Sequence, residues 1–370
     1  MKNYSFLCAV LSISIVFSGC ASHKDKVFTE VDEVVPEKIE REIELPADVR
    51  AKFQVSSSPK EVSSTSEQES EKSKKVAITQ KVAKEQIGPT QKNTKLSKLE
   101  VVKQATPAPL SAEELKKRSQ FKSWDLESKR VWDKFSPFIS VGEEMIFEIS
   151  FFGVLAGHVR LSTKPETTVG GRKAYHFNAQ LKSGRWYDFI YKLDDYIDTY
   201  VDSESFRPIK YTLIQRESSQ KVDDLQLFDF ESSKTYLDYY RLKDGKEKKE
   251  NKEEPIPHFF QDSYSALPFM RGVKMKIGDI HQFPIVTRGK IWLLKYEVVG
   301  VEEVKVQGEW IQALKIKAET QFPGVLERKG DILFWFDQSD LKRPVKFQAK
   351  VKIGTIEGIL TDYSPGKIIK

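Results

Sequence analysis

The stretch Met145-Ile146-Phe147-Glu148-Ile149-Ser150-Phe151 carries an apolar side chain at every second position from Met145 to Phe151. A period of two is typical of a β-strand with one buried and one polar face. The same alternation returns later in the chain between turn signals such as Gly170-Gly171 and Asp244-Gly245. We therefore predict an all-β fold, an antiparallel curved-sheet sandwich or partly open barrel. Further strands are predicted at residues 158–162, 174–179, 225–230, 314–318 and 332–336, with one short inserted helix within 258–270.

The predicted β domain contains an internal repeat with a spacing of about 136 positions. Three pairs of motifs recur in the same order, which favours a duplicated half-domain over a solenoid repeat. We therefore expect two similar halves that close on each other. The pairs are 141–143 with 277–279, 169–171 with 306–308, and 200–211 with 335–347.

The last of these pairs predicts a hairpin in each half. A strand ends at Asp202 or Asp337, and an Asp in that position can cap its own turn. A proline then begins the return strand, where no ladder N–H is needed. Arg207 and Arg343 precede these prolines and could pair with the turn carboxylates. The alternative is that both arginines bind an anionic ligand, so both are candidate ligand-binding residues.

The N-terminus has the order of a bacterial export signal. Lys2 gives a positive start, Phe6–Phe17 is an apolar run too short to span a bilayer, and Ser18-Gly19 precedes Cys20. With Phe17, this end resembles a lipobox, so we predict that residues 1–19 are removed and that Cys20 is acylated. An ordinary signal peptide with a chance cysteine is the alternative. Acyl chains on Cys20 would anchor the protein in the cell envelope. Ala21 favours the outer membrane, with the domain in the periplasm.

Residues 20–110 are rich in Ser, Lys, Glu, Gln, Thr and Pro, and we predict a disordered tether. A coil of this length has a root-mean-square span of roughly 50 to 60 Å. Its lysines could suggest nucleic acid or anionic lipid, but interleaved glutamates favour a solvated linker with no nucleic-acid partner. The net charge of +6 is spread over interspersed lysines and indicates solubility rather than a partner.

A helix is predicted over residues 111–135, followed by the β domain at 136–365. Ser111 and Glu114 have the spacing of a capping box, and apolar residues such as Phe121 and Val131 follow among charged ones. We expect this helix to pack on the domain. The alternative is an amphipathic helix that lies on the membrane.

Several motifs together resemble a bacterial envelope family of unknown function, DUF3108. The resemblance covers about Phe138 to Tyr363 and implies a periplasm-facing all-β domain, and it brings no established activity. The residues that carry it are Gly142-Glu143, Phe147, Gly157, Asp262, Ser265-Ala266-Leu267, Arg271, Gly278-Asp279, Phe334-Trp335-Phe336-Asp337, Arg343-Pro344-Val345 and Ile353-Gly354-Thr355-Ile356.

Motifs for catalysis or metal binding are missing from the sequence. There is no His-Glu-x-x-His, no Gly-x-Ser-x-Gly, no Walker loop and no dinucleotide fingerprint. We therefore expect no enzyme activity, no cofactor and no metal. His158 and His176 fall in neighbouring predicted strands and could form a cross-strand packing pair. Asp262 is expected to N-cap the inserted helix. Four aspartates could hold calcium or form a carboxylate pair, but a solvated strand edge is favoured: Asp188, Asp194, Asp195 and Asp198.

Aromatic residues cluster in two places. Trp186, Tyr187 and Phe189 lie within one short run, and Phe259-Phe260 adjoins the predicted inserted helix. Such rings either fill the core or line a cavity for an acyl chain or glycan.

These features favour a non-enzymatic lipoprotein that binds an amphipathic ligand, a lipid or glycan, or scaffolds an envelope assembly. The first alternative is a purely structural protein-interaction module. The second is an unrecognised envelope hydrolase.

Overall fold

The computed structural model describes residues 35–38, 45–57, 112–184, 191–321, 328–350 and 354–369. The helices in these ranges are α1 Ala47–Ala51, α2 Ala112–Trp132 and α3 Ala266–Gly272. The strands are β1 Val55–Ser57, β2 Ile139–Val141, β3 Glu144–Phe151, β4 Val154–Val169, β5 Arg172–Ser183, β6 Asp194–Asp202, β7 Pro208–Arg216, β8 Gln220–Asp229, β9 Lys234–Lys243, β10 Lys246–Pro255, β11 Ile280–Thr287, β12 Lys290–Val306, β13 Glu309–Gln321, β14 Arg328–Asp337, β15 Pro344–Lys350, β16 Thr355–Ser364 and β17 Lys367–Ile369.

One long antiparallel sheet dominates the described part of the chain. Its order is β10-β9-β8-β7-β6-β5-β4-β3-β16-β15-β14-β13-β12-β11, with β1 added alongside β4. Apolar and polar side chains alternate along β3, as the sequence predicts, and Phe147 and Ile149 face the core. The predicted all-β class is confirmed, with an open curved sheet. Strand β17 pairs with β2, so the fold continues beyond the predicted end at residue 365.

The sheet consists of two similar halves, as predicted. Strands β3–β8 correspond in order to β11–β16, and the halves join where β3 pairs with β16. Their matching turns also share an unusual backbone. Gly142 and Gly278 have φ of 83° and 88°, and the non-glycine residues Phe206 and Lys342 have φ of 54° and 44°. The repeat is therefore present in the geometry of the turns and in the strand order.

The sheet curls so that the two halves enclose a common core. Phe177 and Val201 of the first half meet Phe283 and Phe336 of the second. Phe269 of α3 lies in the same cluster and is fully buried. The inserted helix therefore fills the space between the halves.

The sheet does not close, because its edge strands β10 and β11 are not paired with each other. The segment at 256–261 runs through this gap and forms a parallel bridge from Gln261 to Ile285 of β11. Helix α2 lies across the same gap. Its Lys117 pairs with Glu254 of β10, and its Glu127 accepts a hydrogen bond from Gln282 of β11.

Helix α2 is therefore docked on the sheet, as predicted, with Phe121 and Val131 buried. Ser111 and the side chain of Glu114, which form the predicted capping box, lie outside the described residues. No helix within the described ranges has both the length and the apolar character to cross a membrane.

The predicted disordered tether over 20–110 is wrong for residues 45–57. Strand β1 pairs with β4, from Val55 opposite Val169 to Ser57 opposite Thr167. Phe53 is 5% exposed and packs in a small core that includes Val169. A short apolar segment can add a strand to a sheet within a polar stretch, because the partner strand supplies the missing backbone hydrogen bonds. Cys20 and residues 58–111 lie outside the described residues.

The cap of the inserted helix also differs from the prediction. Helix α3 begins at Ala266, and its N-cap residue is Ser265, whose side chain makes no capping hydrogen bond. Asp262 instead accepts hydrogen bonds from the backbone N–H groups of Tyr264 and Ser265, both at 2.7 Å. It therefore orders the turn that leads into α3.

Candidate functional site

The turn between β6 and β7 forms one wall of the candidate site. Asp202 closes the turn, because its Oδ1 accepts from Ser205 N at 2.7 Å and from Ser205 Oγ at 2.7 Å. Its own backbone N–H donates to Arg207 O at 2.9 Å. The predicted role of this Asp as a cap of its own turn is confirmed. Phe206 points into the core at 2% exposure, so Arg207, directly before β7, is held in a fixed position.

The C-terminal half of α2 forms the second wall. Asp125 accepts hydrogen bonds from the backbone N–H groups of His258 and Phe259, at 2.9 and 3.0 Å. Trp132 Nε1 donates to Ser205 O at 3.1 Å, and its ring packs on Phe259 with 5.2 Å between centroids. Helix α2 therefore contacts both the β6–β7 turn and the segment at 258–259, and a space remains between these three elements.

This space is a pocket with a volume of about 280 Å³. Aromatic rings form its apolar part, and Arg207 and His258 provide its polar groups together with the turn residues. Exposed His258 and Glu204 lie where it opens to solvent. The lining residues are Trp132, Phe135, Pro137, Ser203, Glu204, Ser205, Phe206, Arg207, His258 and Phe259.

Arg207 supplies a half-buried positive charge to the pocket. Its guanidinium lies over the Phe230 ring, 4.2 Å from the centroid, and Nη1 is 3.3 Å from His258 Nδ1. Its Nε is buried and has no hydrogen-bond partner among the described residues. In the same part of the chain, no carboxylate lies within 4 Å of this guanidinium. Burial lowers the pKa of Arg207, while the charges of Asp202 and Asp125 act in the opposite direction.

His258 lies directly beside the guanidinium of Arg207. Burial lowers the pKa of His258, and the neighbouring charge of Arg207 lowers it further. Since Arg207 can only donate, Nδ1 of His258 accepts and the ring proton sits on Nε2. A guanidinium fork beside aromatic walls suits a carboxylate or phosphate attached to an apolar group or a ring.

Arg343, the counterpart of Arg207 in the second half, is engaged differently. Its Nε donates to Asp337 Oδ2 at 2.5 Å, and its guanidinium lies over Tyr363, 4.6 Å from the centroid. The predicted pairing of arginine with the turn carboxylate is therefore confirmed for Arg343. At Arg207 it is wrong, because the guanidinium lies over the Phe230 ring and beside His258 rather than on the carboxylate of Asp202.

The predicted aromatic residues separate into different environments. Phe259 is half-buried and lines the pocket. Phe260 is 1% exposed and packs against Phe228 with 5.2 Å between centroids, so it belongs to the core and not to a ligand site. The run that contains Trp186, Tyr187 and Phe189 lies outside the described residues.

The predicted histidine pair does not form. His158 lies opposite Lys182, whereas His176 lies opposite Lys164, six positions further along β4. His176 instead contacts Asp198, with 2.7 Å between Nε2 and Oδ1, and stacks on Tyr200.

The predicted solvated strand edge is wrong for Asp195. Strand β6 lies inside the sheet between β5 and β7, so Asp195 is 2% exposed and accepts from Gln215 Nε2 at 2.8 Å. Burial raises the pKa of Asp195 well above its usual range, and nearby Glu217 adds to the shift. Asp188 lies outside the described residues. In the ranges that the structure describes, no three His, Cys, Asp or Glu side chains converge as a metal site.

Two features of the site could not be recognised from the sequence. Trp132 and Asp125 both fall within the helix predicted over residues 111–135, and no motif there marks either as a site residue. Their roles depend on α2 crossing the gap between β10 and β11, which no local pattern encodes.

Fold and pocket define a class: an all-β protein with a duplicated open sheet and a small cationic, aromatic-lined pocket beside α2. The chain belongs to the family described as a protein of unknown function, DUF3108, whose sequence profile matches residues 146–361. This match covers more than half of the chain. No curated protein matches the sequence.

Solved structures resemble the chain at low sequence identity. One is a β-barrel-like protein of the domain of unknown function DUF1849 from Brucella abortus, 10% identical, with a TM-score of 0.40 over 61% of this chain and 98% of that chain. Another is described as an exported protein with a YmcC-like fold from Bacteroides fragilis. It is 11% identical, with a TM-score of 0.28 over 64% of this chain and 99% of that chain. A third is described as a lipoprotein from Parabacteroides distasonis. It is 11% identical, with a TM-score of 0.26 over 62% of this chain and 99% of that chain.

Proposed function

We propose that this chain is a non-enzymatic, lipid-anchored protein of the bacterial envelope that binds the anionic end of an amphipathic molecule at Arg207. The export signal and Cys20 support the location, with Ala21 favouring the outer membrane. The pocket beside α2 supports the binding activity. We assign no chemical step, because the pocket supplies a charge and apolar walls while His258 is engaged with Arg207.

The observation that carries the proposal is the contrast between two arginines at equivalent positions of the repeat. Arg343 is neutralised by Asp337, whereas Arg207 is half-buried without a carboxylate partner among the described residues. Removing a charge from water without a counter-charge is unfavourable. An anionic ligand in the pocket would supply that counter-charge.

The size of the pocket limits what it holds. At about 280 Å³ it lies at the lower end of small-molecule sites. It can hold a head group with the first carbons of a chain, or a single sugar ring. The remainder of an acyl chain or glycan would extend towards solvent past His258 and Glu204.

Binding can be tested with simple probes on the mature chain. Decyl phosphate and dodecanoate, below their micelle concentrations, supply an anionic head on an apolar tail, and octyl glucoside is the uncharged comparison. We expect the anionic probes to bind more tightly in titration calorimetry and to raise the melting temperature. Arg207→Met should weaken their binding at least about tenfold, since hydrogen bonds to charged groups are worth more than neutral ones.

The matched control is Arg172→Met. Arg172 also lies near the Phe230 ring, at 5.8 Å, but it pairs with exposed Glu231 and does not line the pocket. Its affinity for the probes should stay within twofold of the unmodified chain. Equal affinity in the Arg207→Met and unmodified chains, or no binding of either anionic probe, would show that the proposal is wrong.

A further inference from the structure

The turn between β3 and β4 has a backbone that a bulky residue rarely adopts. Phe152 and Gly153 both have positive φ, 50° and 75°. Two-residue hairpin turns of this kind favour Asn, Asp or Gly at the first position. A phenylalanine there is disfavoured because its side chain crowds the left-handed backbone.

The equivalent turn of the second half shows that the fold does not require this phenylalanine. Arg288 and Gly289, 136 positions later, have φ of 50° and 63°. Arg288 Nε donates to Asp224 at 2.9 Å, so that turn carries a charge that is held inside the protein. The same backbone in the first half presents an apolar ring to solvent.

Three exposed apolar residues lie close together at this turn, and we call residues Phe152–Leu155 the β3–β4 tip. Phe152, Val154 and Leu155 are 60%, 54% and 41% exposed. The pairing of β4 with β5 reaches only as far as Gly157 and Ser183, so the tip extends beyond the paired end of β5. Clustered apolar side chains at an exposed tip indicate a contact surface more strongly than scattered ones do.

The ring of Phe152 packs against two neighbouring residues although it remains largely exposed. It packs edge-on against Phe151 with 4.5 Å between centroids. It also lies over Gly354, where an added Cβ would come within 2.5 Å of the ring. Because Gly354 has no side chain, the ring can rest against the neighbouring turn.

The path of the chain limits the distance between this end of the sheet and the predicted anchor. Arg216 at the end of β7 donates to the backbone oxygen of Glu37, so residues 35–38 lie at the same end of the strands as the β3–β4 tip. Sixteen residues separate Glu37 from Cys20. They can span at most about 60 Å when fully extended. A lipid on Cys20 therefore keeps Glu37, and with it this end of the sheet, within about 60 Å of the membrane.

Charge at the same end is compatible with an anionic lipid surface. Lys350 pairs with Thr355 beside Gly354 and is exposed, and Lys192 is exposed near the start of β6. Lysines next to apolar side chains are typical of segments that lie in the membrane interface.

We propose that the β3–β4 tip inserts its apolar side chains into the interface of the bilayer that carries the Cys20 anchor. The domain then rests on the membrane with this end of the sheet towards the lipid. This inference rests on the lipidation of Cys20 in the proposed function, but it does not depend on the Arg207 pocket.

A fluorescent label at the tip tests the contact. In the acylated chain, Val154→Cys provides a free thiol, because Cys8 is in the predicted leader and Cys20 is modified. The chain is labelled with an environment-sensitive dye and placed in vesicles of phosphatidylethanolamine and phosphatidylglycerol. We expect a blue-shifted emission that nitroxide-bearing lipids quench. Trp310→Cys is the matched control, since it is 65% exposed at the opposite end of the strands and should give an emission typical of water.

A second measurement does not need the anchor. The mature chain with Cys20→Ser should bind the same vesicles weakly. Adding Phe152→Asn should lower its partition constant about tenfold, because the Phe152 ring no longer enters the bilayer interface. Asn tolerates positive φ, so the turn is expected to keep its fold.

The two failures are distinguishable. If the unmodified chain does not sediment with membranes, the prediction of a lipid anchor on Cys20 is wrong. Vesicle binding by the Cys20→Ser chain, with and without Phe152→Asn, then tests the membrane contact of the tip by itself. If the chain sediments but position 154 is as water-like as position 310, or if Phe152→Asn binds vesicles as its parent does, the tip does not contact the bilayer.

Discussion

Arg271 donates hydrogen bonds to both carboxylate oxygens of Glu143, at 2.6 and 2.8 Å, and the side chains are 6% and 1% exposed. The pair joins the start of the first half to the end of α3, 128 positions apart. Tyr363 O–H adds a third hydrogen bond to Glu143 at 3.2 Å, and Arg271 also donates to Leu341 O. One carboxylate therefore ties together three distant parts of the chain.

Breaking this pair is expected to destabilise the fold strongly. Glu143→Gln leaves the Arg271 charge buried without its counter-charge, which should lower the free energy of unfolding by about 3 to 5 kcal/mol. Tyr363→Phe removes only a neutral donor and should cost about 1 kcal/mol. Urea denaturation of the two variants measures both values. A loss below 1 kcal/mol in Glu143→Gln would contradict the assignment of a buried ion pair.

The two hairpin arginines should respond differently to the same substitution. Arg343→Met leaves Asp337, a 4% exposed carboxylate, without its partner and should destabilise the chain by about 1 to 3 kcal/mol. Arg207→Met removes no partner from a carboxylate, so its effect should stay within about 1 kcal/mol. Denaturation of both variants under one condition gives the comparison. Equal losses would indicate that Arg207 has an ion-pair role that its geometry does not show.

Burial of Asp195 gives the stability a pH dependence with a defined sign. Because burial raises the pKa of Asp195 above its ordinary value of 3.8, the folded chain keeps a proton that the unfolded chain releases. The stabilisation from this proton is fully present below the ordinary pKa of Asp195. It is lost as the pH rises through the raised pKa of Asp195 in the folded chain. Asp195→Asn should therefore be more stable than the unmodified chain at pH 7.5, with the difference fading towards pH 4. Parallel stability curves across that range would refute this account.

The docked segment at 45–57 should contribute measurably to stability. Phe53→Ala removes a buried ring and is expected to cost about 3 to 5 kcal/mol. Val35→Ala, at a side chain that is 47% exposed, should change stability by less than about 0.5 kcal/mol. Thermal melts of both variants test this.

Gly170→Ala probes the same contact from the other side, because its Cβ would lie 2.1 Å from Lys52 O. Hydrogen exchange should show residues 45–57 losing protection in this variant. A segment that only tethers the domain would leave the stability of Phe53→Ala unchanged and would show no protection of residues 45–57 in the unmodified chain.

The fold was largely predictable because its signals are local. Period-two alternation in Met145–Phe151 and the repeated turn motifs depend on neighbouring residues, and both appear in the structure. The docking of Phe53 depends instead on a strand more than 100 positions away, so a polar composition concealed it.

The site was only partly predictable for a related reason. Arg207 and Arg343 occupy the same motif, but Arg343 follows its Asp by six positions and Arg207 by five. That difference was visible in the sequence. Its consequence was not, because the guanidinium of Arg207 lies over Phe230 and beside His258, which are distant in the sequence.

The attachment of β1 to β4 has a consequence for proteolysis of the chain. Strand β1 ends at Ser57 and α2 begins at Ala112, and both elements are held on the same sheet. A single cut within 58–111 leaves the N-terminal fragment bound through β1 and Phe53. Shedding of the domain from an anchor on Cys20 then requires either a cut before β1 or the release of this strand.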